Sequence, residues 1–226
     1  MRFPAVSTRQ GVDRLVEMLN RLLIGVPTMR LGSLLSILGF ALALAAAPLA
    51  AAADDAGGFI AATADAVLSL ARDKGLSQDA FKQRLRVIAE RDFDTPRIAQ
   101  FVLGRYWRSA SDAERRQFVE AFEDYMVQVY ATRFRQYGGA QFKVTGQRQE
   151  GNTTMVTTEI ERSSGEAPAK VIWQVAKAGD GFKITDVSIE GISQAVTYRE
   201  EFGTVIEQHG GQVSALTEQL RQKASG

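Results

Sequence analysis

At Gly138-Gly139 the spacing of apolar residues in this 226-residue chain changes from a helical repeat to an alternation of two, and that switch restricts the folds open to it. Ahead of it, residues 59–72 repeat Ile60, Ala64, Val67, Leu68 and Ala71 at helical spacing, and Gly75 stops the run. Ser77 can cap a second helix over 77–90, with Phe81, Leu85 and Ile88 on one side. Thr95-Pro96 begins a third, ending at Gly104, because proline suits a first turn whose amide has no partner anyway. Ser111 and Glu114 have capping-box spacing and open the longest helix, to about Tyr137. Behind the switch, 142–148, 153–162, 169–177 and 181–190 read as strands. The turns between them, Gly151-Asn152, Ser163-Ser164-Gly165 and Gly179-Asp180-Gly181, are short enough to enforce antiparallel pairing. In the fourth strand Phe182 and Ile184 have the opposite parity to Val187 and Ile189, so a bulge near Thr185-Asp186 is expected. Two more helices, 192–208 and 213–223, flank Gly210-Gly211. The expectation is an α+β fold: a curved four-stranded antiparallel meander with helices packed on one side.

Residues 29–53 have the build of an export signal. Met29-Arg30 supplies a start and a positive charge, and 31–47 is uncharged and rich in Leu and Ala. Pro48 breaks the helix, and the small residues 49–53 suit cleavage before Asp54. The rival is a retained anchor, since 31–53 could span a bilayer, but the Ala51-Ala52-Ala53 run favours cleavage. Residues 1–28 then read as an upstream extension from a start codon placed too early, with 54–226 as one domain. No cysteine occurs anywhere in the chain, so a lipid-modified N-terminus and a disulfide framework are both excluded. A cysteine-free exported domain points to a periplasm.

Charge adds little. The whole chain carries 27 basic and 26 acidic side chains; removing the five arginines and two acids of 1–53 leaves 22 against 24. Such a balance gives no field for nucleic acid. Enzymatic chemistry is equally hard to place. The single histidine, His209, lies beside Gly210-Gly211 at a helix end, where a cation suits the dipole. A zinc site of His and Cys and a cysteine nucleophile lack their residues, and Gly57-Gly58 and Gly138-Gly139 lack the strand–helix context of a phosphate-cradling loop. The acids Glu114, Glu120, Glu123, Asp124, Glu200 and Glu201 sit at helical spacing among arginines, as on a solvated face. No catalytic residue, metal or cofactor is therefore expected.

The apolar content of the middle of the chain is unusual. The long helix carries Phe118, Val119, Phe122, Tyr125, Met126, Val129, Tyr130 and Phe134, a stripe wider than the ~100° a helix normally turns to a core. Tyr106 and Trp107 precede it, and the strands add Met155, Ile160, Trp173, Phe182 and Ile184. An ordinary filled core accounts for these residues. A curved sheet facing broad aromatic helices can also enclose an apolar cavity.

Three stretches carry a family resemblance. They are Phe101-Val102-Leu103-Gly104-Arg105-Tyr106-Trp107-Arg108, then Ala113-Glu114-Arg115-Arg116-Gln117-Phe118-Val119-Glu120-Ala121-Phe122 followed by Tyr130-Ala131, and 186–193 through Thr197-Tyr198-Arg199-Glu200-Glu201-Phe202. In order and spacing the chain resembles, over 57–222, the periplasmic phospholipid-binding component of the Mla lipid-transport system, the MlaC or toluene-tolerance family. Phe134-Arg135-Gln136-Tyr137-Gly138-Gly139 and His209-Gly210-Gly211-Gln212-Val213 are also similar to its hopanoid-associated HpnM branch. The resemblance implies a soluble carrier with acyl chains between sheet and helices and the headgroup outside. It also implies hand-over between an outer-membrane lipoprotein complex and an inner-membrane ABC transporter with an MCE-domain subunit.

Such a carrier answers a physical need, because exposing the ~30 methylenes of a two-chain lipid costs on the order of 25 kcal/mol. Candidate wall residues are Tyr106, Trp107, Phe122, Met126, Val129, Tyr130, Val171, Trp173, Val175, Ile184, Val187 and Val196. Tyr198 and Arg199 are candidates for the mouth, where an arginine would suit a phosphate. Three readings follow: a carrier of phospholipid or hopanoid, a small-pocket enzyme of cone-shaped α+β fold, and an interaction module with a filled core.

Overall fold

In the computed structural model, which describes residues 55–135, 138–161 and 167–225, the capping box closes as its spacing predicts. Ser111 Oγ accepts from the Glu114 amide at 3.3 Å, and the Glu114 carboxylate accepts from the Ser111 amide at 2.8 Å. The helix so opened is α5, Asp112–Phe134, preceded by α1 (Ala56–Arg72), α2 (Gln78–Asp92), α3 (Thr95–Leu103) and α4 (Arg105–Ser109). The proposed extension 1–28, the leader 29–53, Tyr137 and the turn at 163–165 lie outside the described residues.

Strands β1 (Gln141–Glu150), β2 (Thr153–Glu161), β3 (Ala169–Ala178), β4 (Gly181–Ile189) and β5 (Ile192–Ser193) follow, then α6 (Gln194–Gln208) and α7 (Val213–Ser225). They form an antiparallel meander in the order β1-β2-β3-β4-β5. The sheet thus has five strands rather than four. Glu190 and Gly191 both adopt positive φ, 50° and 83°, which is the backbone of a two-residue hairpin turn. The chain therefore reverses at once and pairs Ile189 with Ile192 and Ser188 with Ser193. Helix α6 starts two residues later than its periodicity suggests, with Ser193 Oγ accepting from the Val196 amide at 3.1 Å.

The expected bulge is present. Gln174 pairs with Asp186 and Val175 with Ile184, so Thr185 is the extra residue. This brings Ile184 and Val187 to the same face despite their unlike parity. A second irregularity, at Thr145 in β1, has no counterpart in the sequence reading. The inner face carries the cross-strand row Val156–Trp173–Val187, with Val171 and Val175 to either side. Helix α1 packs on it at β1 and β2, while α2, α3 and α6 reach β4.

Among the described residues, buried side chains gather in distinct groups. One joins Ala56 and Ile60 of α1 to Val156, Val175 and Ile184 of the sheet. Another joins Ala71, at the far end of α1, to Phe81, Leu85 and Ala131. Beside them an aromatic set, Phe118, Phe122, Tyr125, Tyr198 and Phe202, joins α5 to α6. Helix α5 lies at the centre: from Ala121 to Ala131 no residue is exposed, in keeping with its wide apolar stripe. Asp92, 2% exposed, ties α1 to α2 by accepting from Thr63 Oγ1 at 2.8 Å while both its oxygens accept from Arg91.

Candidate functional site

The inner face of the sheet is organised around Trp173. Its indole Nε1–H donates to Thr158 Oγ1 at 2.9 Å, and that hydroxyl donates to the Val171 carbonyl at 3.2 Å. Both polar groups are thereby satisfied on a face that is otherwise apolar, so the indole is held in one orientation. Phe142 meets its edge at a centroid distance of 6.4 Å, and Phe59 of α1 tilts on Phe182 at 5.8 Å.

Burial is uneven across this face. Val156, Val175 and Ile184 are at most 1% exposed, yet Phe142, Val144, Trp173, Phe182 and Val187, packed around them, are only half-buried. The same holds for Val67 and Leu70 of α1 and for Met126, Val129, Tyr130 and Phe134 of the central helix. A filled interior closes on large apolar side chains at crystal-like density. Here the apolar residues packed around the buried groups keep part of their surface accessible. Such partly accessible apolar side chains are chemically suited to alkyl chains.

Of the residues expected to form a wall, Val171, Trp173, Val175, Ile184 and Val187 share the inner sheet face, and Met126, Val129 and Tyr130 lie half-buried on α5. Phe122, 2% exposed, belongs to the aromatic set. Tyr106 and Trp107 are not brought to the sheet. The Tyr106 hydroxyl accepts from Arg105 Nη2 at 2.7 Å, and Arg105 pairs with Glu207 at the C-terminal end of α6. Arg115 lies over the Trp107 ring at 5.5 Å and donates to its carbonyl. The short helix α4 turns both rings away because Gly104, at φ 56°, reverses the chain in a conformation that side chains resist. Val196 also departs from the expectation: it is 44% exposed, about 200° round α6 from Tyr198.

Tyr198 and Arg199 part company for the same reason, being adjacent on a helix. Arg199 stays exposed, stacked on Phe101 at 5.1 Å and lying across Gly104. Tyr198 is 2% exposed, ringed by Phe122, Tyr125 and Phe202 at centroid distances of 6.2, 6.5 and 5.5 Å. Burial pushes its hydroxyl well above the ordinary phenol range, and Tyr130 moves the same way. On the next turn Glu201 is raised to about 7 by burial, against the pull of Lys223.

Sequence reasoning missed Phe59, Val67 and Leu70, although the α1 stripe could have supplied them, and Phe142 and Val144, which alternate on β1. Nothing in the sequence marks the tyrosine hydroxyls as neighbours. Among the described residues no three His, Cys, Asp or Glu side chains gather to hold a metal, and no helix is long and apolar enough to cross a membrane. His209 caps α6, its Nδ1 lying 2.7 Å from the Val205 carbonyl.

A phospholipid-binding protein from Ralstonia solanacearum, solved in complex with a phospholipid, has the same fold. Its TM-score is 0.68 at 22% identity, covering 76% of this chain and 97% of that one. A family model described as MlaC protein matches residues 61–222. With that match running from the second turn of α1 into α7, across both the sheet and the central helix, the chain belongs to the MlaC family.

Proposed function

We infer that this protein is a soluble periplasmic carrier that shelters the acyl chains of a phospholipid between sheet and helices. It passes the lipid between an outer-membrane lipoprotein complex and an inner-membrane ABC transporter with an MCE-domain subunit. The observation that carries this reading is the half-buried apolar lining packed around well-buried side chains, on residues that would close completely in a filled core. The shared fold with a protein solved holding a phospholipid supports the ligand class, and the export signal read at 29–53 supports the compartment. A hopanoid is the alternative cargo, favoured by the branch-like segments around Gly138 and Gly210.

Exchange with a bilayer then replaces one apolar environment by another, and the desolvation cost is avoided without any chemistry. The enzyme reading fares worse, since the buried Asp92 is already bonded to Thr63 and Arg91 and His209 sits at a helix cap. The test is recovery of the protein from the periplasm, with intact mass reading a start at Asp54, then native mass spectrometry and lipid extraction. One bound phospholipid or hopanoid per chain is expected. Val187→Trp, which fills the half-buried centre of the inner face, should leave a folded protein with at least tenfold less lipid. A gently purified wild type without lipid would end the carrier reading.

A further inference from the structure

Tyr106, turned away from the sheet, belongs to an outer face built from α3, α4 and α6. Among the described residues four large apolar side chains are exposed: Val87, Phe101, Ile192 and Val196. Two of them flank one cation. Phe101 of α3, 42% exposed, carries the Arg199 guanidinium on its ring at 5.1 Å, and Val196, 44% exposed, lies one turn before Arg199 on α6. Single exposed apolar side chains are ordinary, but two beside a shared arginine make a patch. Arg199 also lies across Gly104, its Nε 3.0 Å from where a Cβ would stand, so the patch continues onto the turn into α4. There Arg105 pairs with Glu207, and the Tyr106 hydroxyl donates to the same carboxylate at 3.4 Å. Glu207 follows Arg199 by two turns, about 80° round α6, so the face is continuous from Val196 to Tyr106.

The charge on this face is opposite in sign to that of the domain. Between Asp94 and Asp112 the chain has Arg97, Arg105 and Arg108, all exposed, and no acid. Arg97 lies one turn before Phe101 on α3, and Arg108 one turn after Arg105 on α4. Arg97, Arg108 and Arg199 form no ion pair among the described residues. Against them stand Glu200, also exposed, and Glu207, which Arg105 holds. The domain from residue 54 carries 22 basic and 24 acidic side chains, so an anionic surface weakly repels the whole and attracts this face, which orients the approach. Every cation here is an arginine, whose planar fork matches the oxygens of a phosphate.

We propose that this face docks the protein reversibly on the surface of an anionic phospholipid bilayer. Arg97, Arg108 and Arg199 pair with lipid phosphates, while Phe101 and Val196 enter the boundary between headgroups and chains. The cations are spread over three helices, which suits a field of headgroups rather than one bound anion. A second copy of the chain would set arginine against arginine. Because the apolar part is only two side chains, the contact is held mainly by charge and releases readily. This docking surface does not depend on what the interior holds, and it adds the bilayer itself to the protein complexes of the carrier reading.

The experiment is flotation of the purified protein with vesicles of equal parts phosphatidylglycerol and phosphatidylcholine, and with vesicles of phosphatidylcholine alone. Wild type should float with the first and stay behind with the second, and high salt should abolish the binding. Arg199→Gln and Arg108→Gln, each first checked for a wild-type melting temperature, should weaken binding about fivefold, the share of one cation near an anionic surface. Phe101→Ser should weaken it about tenfold. Lys177→Gln, which removes an exposed cation from the end of β3, should bind like wild type. Equal flotation with both vesicle types, unchanged binding in Arg199→Gln and Phe101→Ser, or an equal loss in Lys177→Gln would overturn the docking surface. So would flotation with neither, which would leave an acidic protein surface as the partner for this face. A protein that floats but brings no lipid with it from the cell would end the carrier reading and leave the docking surface standing.

Discussion

Gly138 follows the long helix and Gly203 lies inside a later one, and the structure gives them opposite weights. A Cβ on Gly138 would stand 2.7 Å from the Ala71 carbonyl oxygen and 3.0 Å from its carbon. Those are backbone atoms at the end of α1, so nothing soft can yield. Gly203 lies inside α6 with nothing within 4 Å of the same position. Gly138→Ala should therefore destabilise the fold by about 1–3 kcal/mol through overpacking. Gly203→Ala should stabilise it by about 0.5–1 kcal/mol, because alanine loses less backbone freedom in a helix. Urea titrations at constant slope would check both. Shifts of the same sign would show that the close approach of the α5–β1 turn to α1 is wrong. The sequence showed Gly138 only as a helix stop; the approach to Ala71 spans 67 positions and leaves no local trace.

At the scale of elements, the junction of β4 with α6 concentrates several roles in one side chain. Asp186 sits beside the Thr185 bulge, where one oxygen accepts from the Val187 amide at 2.7 Å and the Ala195 amide at 3.0 Å. Its other oxygen accepts from Ser193 Oγ at 2.5 Å. It thus holds the bulge, orients the helix cap and places a negative charge near a helix N-terminus. Asp186→Ala should lower stability by about 1–2 kcal/mol, and Asp186→Asn by less, since the amide keeps one acceptor. Equal melting temperatures for Asp186→Ala and wild type would refute this. The bulge itself was legible, because a parity break between Ile184 and Val187 can be reconciled in few other ways. Strand and helix order were legible for a similar reason: caps and turns such as Ser77, Ser111 and Gly151 act within a few residues. The two-residue β5 was not, since Ile192-Ser193 continues the helical pattern and only pairing with Ser188 and Ile189 recruits it to the sheet. Alternation on β3 made legible that Val171, Trp173 and Val175 share one face of the sheet. Tyr106, Trp107 and Val196 were misplaced because their orientation depends on how α4 turns at Gly104 and on helix phase, which an apolar side chain alone does not reveal.

For the whole molecule, two partly buried carboxyls within the helical layer set how stability responds to pH. Glu201 on α6 is raised to about 7 by burial, with Lys223 of α7 opposing and Tyr198 nearby. Glu123 on α5 is raised by burial and by Glu90 of α2, while Arg86, 3.6 Å away, and Asp124 pull in opposite senses. Both groups bind protons more tightly in the fold than in the open chain, where the ordinary value is 4.5. Stability from Glu201 is therefore complete below about 4.5 and is lost as pH rises through about 7, and that from Glu123 is lost in the same direction. Glu114 acts in the other sense, because its carboxylate is held low by the Ser111 amide and hydroxyl, and its contribution is lost as pH falls. The protein should accordingly melt higher at pH ~5.5 than at pH ~8, since Glu201 must ionise in place across that interval. Glu201→Gln should narrow the difference by raising the melting temperature at the alkaline end while changing it little at the acid end. Calorimetry of wild type and variant at the two pH values would decide: a wild type that melts higher at the alkaline end, or a variant with an unchanged gap, would mean that Glu201 is ionised and well solvated between α6 and α7.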